Sequence, residues 1–161
     1  MSEPSQRYVR LFFDGLNLLL PQHQLHTLEP VSDLQTTGGS EDGVGWITKG
    51  GYRWPVYCLS RDLDTMPRLP DGRHICALVA HQSQAFGLVC EDVDTMPGQD
   101  LVSWPLPTCM YTPGMPINAL ALHDGRVYCI TTVTDMGGYM ERRGCVTVAH
   151  PEMGHPQPVN L

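Results

Sequence analysis

Residues 74–96, HICALVAHQSQAFGLVCEDVDTM, decide how this chain folds. Ile75 to Ala80 is almost wholly apolar, and so is Ala85 to Cys90; the polar link His81-Gln82-Ser83-Gln84 between them is short. Both runs are too brief for an ordinary helix and carry Val, Ile and Phe, so they read as the two strands of a hairpin. Neither run alternates polar with apolar, which implies that both faces of the hairpin are covered. Gly87 sits inside the second strand, where it packs poorly, and predicts a bulge, a bend or a close backbone approach. The run then turns acidic at Glu91-Asp92 and stops at Pro97.

The rest of the chain extends this pattern in both directions. Val9, Leu11 and Phe13 alternate with Tyr8 and Arg10, and Leu16, Leu18 and Leu20 continue the apolar face beyond Asp14-Gly15. Asp-Gly is a favoured two-residue turn because Gly tolerates positive φ, so residues 8–20 form a second hairpin. Residues 22–31 read as an extended or briefly helical edge with Leu25 and Leu28 inward, and the acidic, Gly-rich stretch 32–45 as a mobile loop. A Gly50-Gly51 turn leads into Tyr52 to Leu59, where Pro55 marks an edge or bulged strand. Residues 101–116 are extended and irregular through four prolines. Ile117 to Leu122 and Val127 to Val133 make a last hairpin around Asp124-Gly125, and Tyr139 to Ala149 adds a strand after a Gly137-Gly138 turn. Asp62–Pro67 is nearly repeated as Asp92–Pro97, which reads as two strand exits rather than a repeat architecture. Short strands punctuated by Gly and Pro, with no helical stripe, predict an all-β barrel or sandwich.

Composition sets the outer limits. The chain has 161 residues, 42% hydrophobic and 17% charged, enough for one domain with a real core or two small interleaved subdomains. A net charge of −7 argues against a nucleic-acid backbone binder, and no apolar run reaches membrane-spanning length. Met1-Ser2-Glu3-Pro4 lacks the character of a signal peptide, so the expected location is cytoplasmic. None of the six cysteines lies in a C-x-x-C pair, and in that compartment they are expected to be reduced and buried.

Chemistry-bearing patterns are sparse. The Asp-x-Asp pairs at 62/64 and 92/94 lack the remaining oxygen ligands and the glycine of a calcium loop. His74 and Cys76 share a strand face, but no second pair completes a zinc site, and no other metal or cofactor is expected. Cys145 follows Arg142-Arg143-Gly144, where positive charge would favour a thiolate; a strand cysteine after a turn is the plainer account. No catalytic residue is assigned, and the alternative is a small β-barrel enzyme or ligand-binding module using a cysteine or metal site.

Phe86-Gly87-Leu88-Val89, followed by Cys90, Glu91 and Val93, resembles the Gly-Leu-hydrophobic-Val-Asp-x-Val strand of CheW-like chemosensory coupling proteins, with Cys90 in a Val place and Glu91 in the Asp place. Pro55-Val56-Tyr57-Cys58-Leu59 is similar to that family's Pro-Val-hydrophobic-Asp-Leu strand, with Cys58 in place of Asp, and Pro105-Leu106-Pro107 to its Leu-Pro segment. The opening and closing hairpins fall in the same order, so the resemblance spans residues 8 to about 136. It implies a CheW-like domain over 8–149, with flexible ends at 1–7 and 150–161, built as two small interleaved five-stranded SH3-like β-barrels. It further implies a non-enzymatic adaptor, without cofactor or membrane insertion, that couples a CheA-type histidine kinase to a chemoreceptor or other signalling protein, in a pilus or twitching-motility system among others. The family's Asn-Leu-Arg-Gly coupling turn aligns before Pro55. Gly51 takes its Gly place and Gly50 its Arg place, with Lys49 one residue early, so Lys49, Gly50, Gly51, Tyr52 and Arg53 form the expected partner surface. The family's helical C-terminal segment has no counterpart in this reading.

Overall fold

The computed structural model describes residues 6–36 and 43–151. Residues 37–42 of the expected mobile loop, and 1–5 and 152–161 of the expected flexible ends, lie outside them. The strands are β1 (Arg7–Phe13), β2 (Leu16–Pro21), β3 (Leu25–Pro30), β4 (Gly45–Lys49), β5 (Tyr52–Tyr57), β6 (Ile75–His81), β7 (Gln84–Cys90), β8 (Asp92–Pro97), β9 (Val102–Pro105), β10 (Ala119–His123) and β11 (Arg126–Ile130). One α-helix, α1 (Val133–Arg142), and a two-residue strand, β12 (His150–Pro151), follow.

Two curled sheets share these strands in an interleaved order. The first runs β8-β1-β2-β11-β10-β9; the second runs β12-β5-β7-β6-β3, with β4 also on β5. Each sheet thus has six strands rather than five. The proline-rich segment contributes β9 to the first, and the start of the expected tail contributes β12 to the second. The chain enters the first sheet, crosses to the second for β3–β7, returns for β8–β11 and crosses again to β12.

The three expected hairpins are present as β1–β2, β6–β7 and β10–β11. The central one is covered on both faces, as its lack of alternation implied. Ala77, Val79, Phe86 and Leu88 face the main core with Val9, Leu11, Phe13, Leu18 and Leu20 of the first sheet. Cys76, Leu78 and Val89 face a second cluster with Ile47, Trp54 and Val56. Gly87 marks a close approach: a Cβ there would lie 2.8 Å from Leu78 Cδ2 and 3.0 Å from Val56 Cγ2.

Several expectations need correction. Residues 133–142 form a helix, and Gly137-Gly138 lies within it rather than in a turn. Thr132 caps it, its hydroxyl accepting from the Asp135 amide at 3.1 Å. Val133, Met136, Gly137 and Met140, one helical face, are buried. Gly137 is small because the Gln84 side chain packs directly against it. Leu25 packs on the core but Leu28 is exposed, since an odd separation along a strand puts two side chains on opposite faces. β5 is flanked on both sides, by β4 on one and by β12 and β7 on the other. Pro55 is tolerated because it falls between the pairings at Tyr52-Arg53 and Val56-Tyr57 on that second side. The second Asp-Val-Asp-Thr-Met-Pro stretch is β8 itself; Asp92 and Asp94 pair with Arg10 across the β1 ladder at 2.8 and 3.0 Å.

Candidate partner-binding surfaces

The turn expected to meet a partner is a tight β4–β5 hairpin. Lys49 pairs with Tyr52 across Gly50 (φ +63°) and Gly51 (φ +81°), both in the left-handed region that glycine alone enters cheaply. Its charges are held by neighbours. Lys49 Nζ reaches Glu29 on β3 at 3.2 Å, and the Arg53 guanidinium lies 3.9 Å from the Trp46 ring centroid. Trp54 Nε1 donates to the Lys49 carbonyl at 3.3 Å, and His26 stacks on the Trp54 ring at 4.9 Å. β12 lies antiparallel against Tyr52 and Arg53. Lys49, Gly50, Gly51 and Tyr52 are exposed and Arg53 is half-buried; Tyr52, 48% exposed, is the large apolar group this turn presents.

A second surface was not singled out from the sequence. Leu122 on β10 stands opposite Val102 on β9 and opposite Val127 on β11, so the three side chains form one cross-strand row. Leu120, two residues earlier and on the same face, is buried in the main core. The row therefore lies on the core side of the first sheet but past the core's edge. Val127 is 53% exposed, Leu122 40% and Val102 66%, and Trp104 adjoins Val102 on that face. A contiguous exposed apolar row of this kind is a candidate interaction site.

Four of the six cysteines are enclosed, and the expectation that all are buried fails at Cys109. Cys58, Cys76, Cys90 and Cys145 are buried and Cys129 is half-buried; Cys109 is exposed, and all six are free thiols. Burial pushes the Cys76 thiol up to about 12, with Asp33 and Glu29 adding to the shift. Burial raises Cys90 and Cys58 as well, against the opposing charge of Arg73. Arg73 is itself buried. It donates to the Cys58 sulfur at 3.1 Å, to the Val89 carbonyl at 2.9 Å and to the Leu59 carbonyl at 2.7 Å, with its guanidinium 5.0 Å from the Phe13 ring centroid. No carboxylate pairs with it among the described residues. His74 and Cys76 gain no further partner: no group of three or more His, Cys, Asp or Glu side chains able to hold a metal occurs among the described residues.

The raised thiols make a pH prediction. In the folded chain Cys76 stays protonated to about 12, whereas unfolded it ionises near its ordinary value of 9.0. Its contribution is fully present below about pH 9 and is lost as pH rises toward the folded value, at about 1.4 kcal/mol per pH unit. Urea unfolding at about pH 8 and about pH 10 should show a smaller stability loss in Cys76→Ala than in the parent. Equal losses would mean that the thiol is not held protonated.

Two interleaved, curled β-sheets around a shared core, closed by a short C-terminal helix, define a CheW-like fold. The chain is similar to the crystal structure of the scaffolding protein TtCheW from Thermoanaerobacter tengcongensis, with a TM-score of 0.60 over 79% of this chain and 88% of that one, at 18% sequence identity. At that identity the likeness concerns the fold. No protein-family model and no curated protein sequence matches the chain.

Proposed function

We propose that this chain is a non-catalytic adaptor of chemosensory signalling, coupling a CheA-type histidine kinase to a chemoreceptor or another signalling protein, with systems that drive pilus-based twitching among its settings. The observation that carries the reading is the apolar row Val102–Leu122–Val127, continuous with the core of a CheW-like fold and exposed at the end of its sheet. A scaffold needs a surface whose burial supplies affinity without chemistry, and a few apolar side chains ringed by polar ones suffice. Acidic residues elsewhere on a chain of charge −7 would tune the association rate. No membrane insertion enters this reading; no described helix is long and apolar enough to cross a bilayer.

Isothermal titration of the full chain against the regulatory domain of the host's CheA-type kinase tests the reading. Saturable one-to-one binding is the expected result; no heat and no co-elution with either kinase or receptor would sink it. The coupling turn supplies a finer test. Lys49→Ala with Tyr52→Ala should weaken kinase or receptor binding by about tenfold while the melting temperature stays close to the parent's. The lost Lys49–Glu29 pair involves a half-exposed lysine and is worth less than about 1 kcal/mol. Unchanged binding would remove this turn from the interface and leave the apolar row to carry it. The alternative of a cysteine- or metal-based enzyme finds less support, since burial withholds the thiolate at Cys58, Cys76 and Cys90.

A further inference from the structure

A cleft of about 460 Å³ opens between α1, the turn at residues 60–64 and the segment 112–117, apart from both surfaces above. Its volume falls within the range of roughly 300–1,000 Å³ that small-ligand sites occupy. Leu63, Met115, Pro116 and Ile117 give it apolar walls, and Asp62 and Arg142 bring opposite charges to it.

Local bonds fix Arg142, Arg143 and Tyr139, whereas the Asp62 carboxylate stands exposed at the rim. Arg142 donates from Nη2 to the Gly114 carbonyl at 2.7 Å, which ties the guanidinium across the cleft. Arg143 is occupied by Asp64 at 2.7 Å and lies over the Tyr139 ring, 4.5 Å from its centroid. The Tyr139 hydroxyl donates to the Leu63 carbonyl at 3.2 Å. Leu63 stands at φ +66° in a turn closed by its amide on the Ser60 carbonyl at 2.9 Å and by the Ser60 amide on the Asp64 carbonyl at 2.9 Å, a backbone state that a bulky residue adopts only at a cost. With Arg143 and Asp64 paired to each other, Arg142 and Asp62 remain as two opposite poles. Among the described residues Arg142 meets no carboxylate, and the Asp62 carboxylate accepts no hydrogen bond.

A guanidinium pole selects a carboxylate, a carboxylate pole selects an N–H donor, and apolar walls select an aliphatic body. Those three features together are the main chain and side chain of an apolar α-amino acid. We propose that this cleft binds the α-carboxylate and α-nitrogen of such a residue, either as the free amino acid or as the C-terminal residue of a peptide. Arg142 takes the carboxylate, Asp62 the nitrogen, and the walls about Leu63 and Ile117 the side chain. This site is separate from the adaptor surfaces and does not depend on them.

Amide chemical shifts of the full-length ¹⁵N-labelled chain, titrated with L-leucine, N-acetyl-L-leucine and L-leucinamide, test it. Leucine, N-acetyl-leucine or both should move the amides of Gly114, Tyr139 and Arg142. Leucinamide, which lacks the carboxylate, should bind at least about tenfold more weakly. Tighter binding of leucine assigns the free amino acid, and tighter binding of N-acetyl-leucine a peptide terminus. Arg142→Gln should weaken the preferred ligand by about tenfold with the remaining amide spectrum unchanged, and Asp62→Asn should weaken leucine. No shift at the cleft at millimolar ligand, leucinamide binding as well as leucine, or an Arg142→Gln variant that binds like the parent would overturn the proposal.

Discussion

Arg73→Leu is expected to remove about 3 kcal/mol of folding stability, since each buried acceptor left without a donor costs about 1–3 kcal/mol. The substitution strips the donors from the carbonyls of Val89 and Leu59, at the ends of two neighbouring strands, and from the Cys58 sulfur. Solvent cannot replace them, because Arg73 is only 4% exposed. Lysine would be a poor substitute: a single ammonium cannot reproduce a planar fork that reaches three acceptors. The same site contains its own counter-test. Cys58 occupies the place where the CheW-like pattern has Asp, so Cys58→Asp would set a carboxylate against a guanidinium that now has none. That variant should unfold at higher urea than the parent, whereas Arg73→Leu unfolds at lower. A loss below about 1 kcal/mol in Arg73→Leu would show that the guanidinium is not what joins these strand ends.

Leu122→Thr with Val127→Thr should lower affinity for the proposed kinase or receptor partner by at least about tenfold, the scale of losing anchors at the centre of an interface. Threonine is β-branched and suits a pleated strand at both positions while removing apolar surface, so urea midpoints should stay close to the parent's. The contrast with the Lys49 and Tyr52 substitutions is informative. Those residues offer one exposed aromatic ring and a cation already held by Glu29, whereas the row offers three adjoining aliphatic groups. Full affinity in the double threonine variant would exclude the row as the docking surface.

Much of the sheet architecture was legible because period-two patterns and Asp-Gly turns act locally. Val9, Leu11 and Phe13 point inward whatever the remainder of the chain does, and Gly87 announces a close approach through its missing side chain. The helix was hidden by Gly137-Gly138, which looks like a turn when read by propensity. Its signals were nonetheless present: Thr132 with Asp135 is an N-capping pattern, and Val133, Met136 and Met140 recur at helical spacing. The Gly50-Gly51 hairpin turn was legible, but not the Glu29 pairing of Lys49, which joins residues 20 positions apart. The apolar row could not be read at all. Val102, Leu122 and Val127 each look like ordinary inward strand positions, and only the end of the core leaves them uncovered. Arg73 was equally silent, a lone arginine in a polar loop until two strand ends close around it.

The interleaved path of the chain has a consequence for how the molecule forms. Neither sheet can be completed from one contiguous half of the sequence: β2 must wait for β11, and β5 for β12. Arg10 and Asp94 meet although 84 positions apart, and the Gln24 side chain accepts from the Val133 amide 109 positions away. Contacts of such range make assembly slow, because loop closure must precede the contacts that reward it. During synthesis the first seven strands can emerge with both sheets still unfinished. The two sheets are therefore expected to unfold in one cooperative transition, and a cut between β7 and β8 would leave each fragment with strands of both sheets.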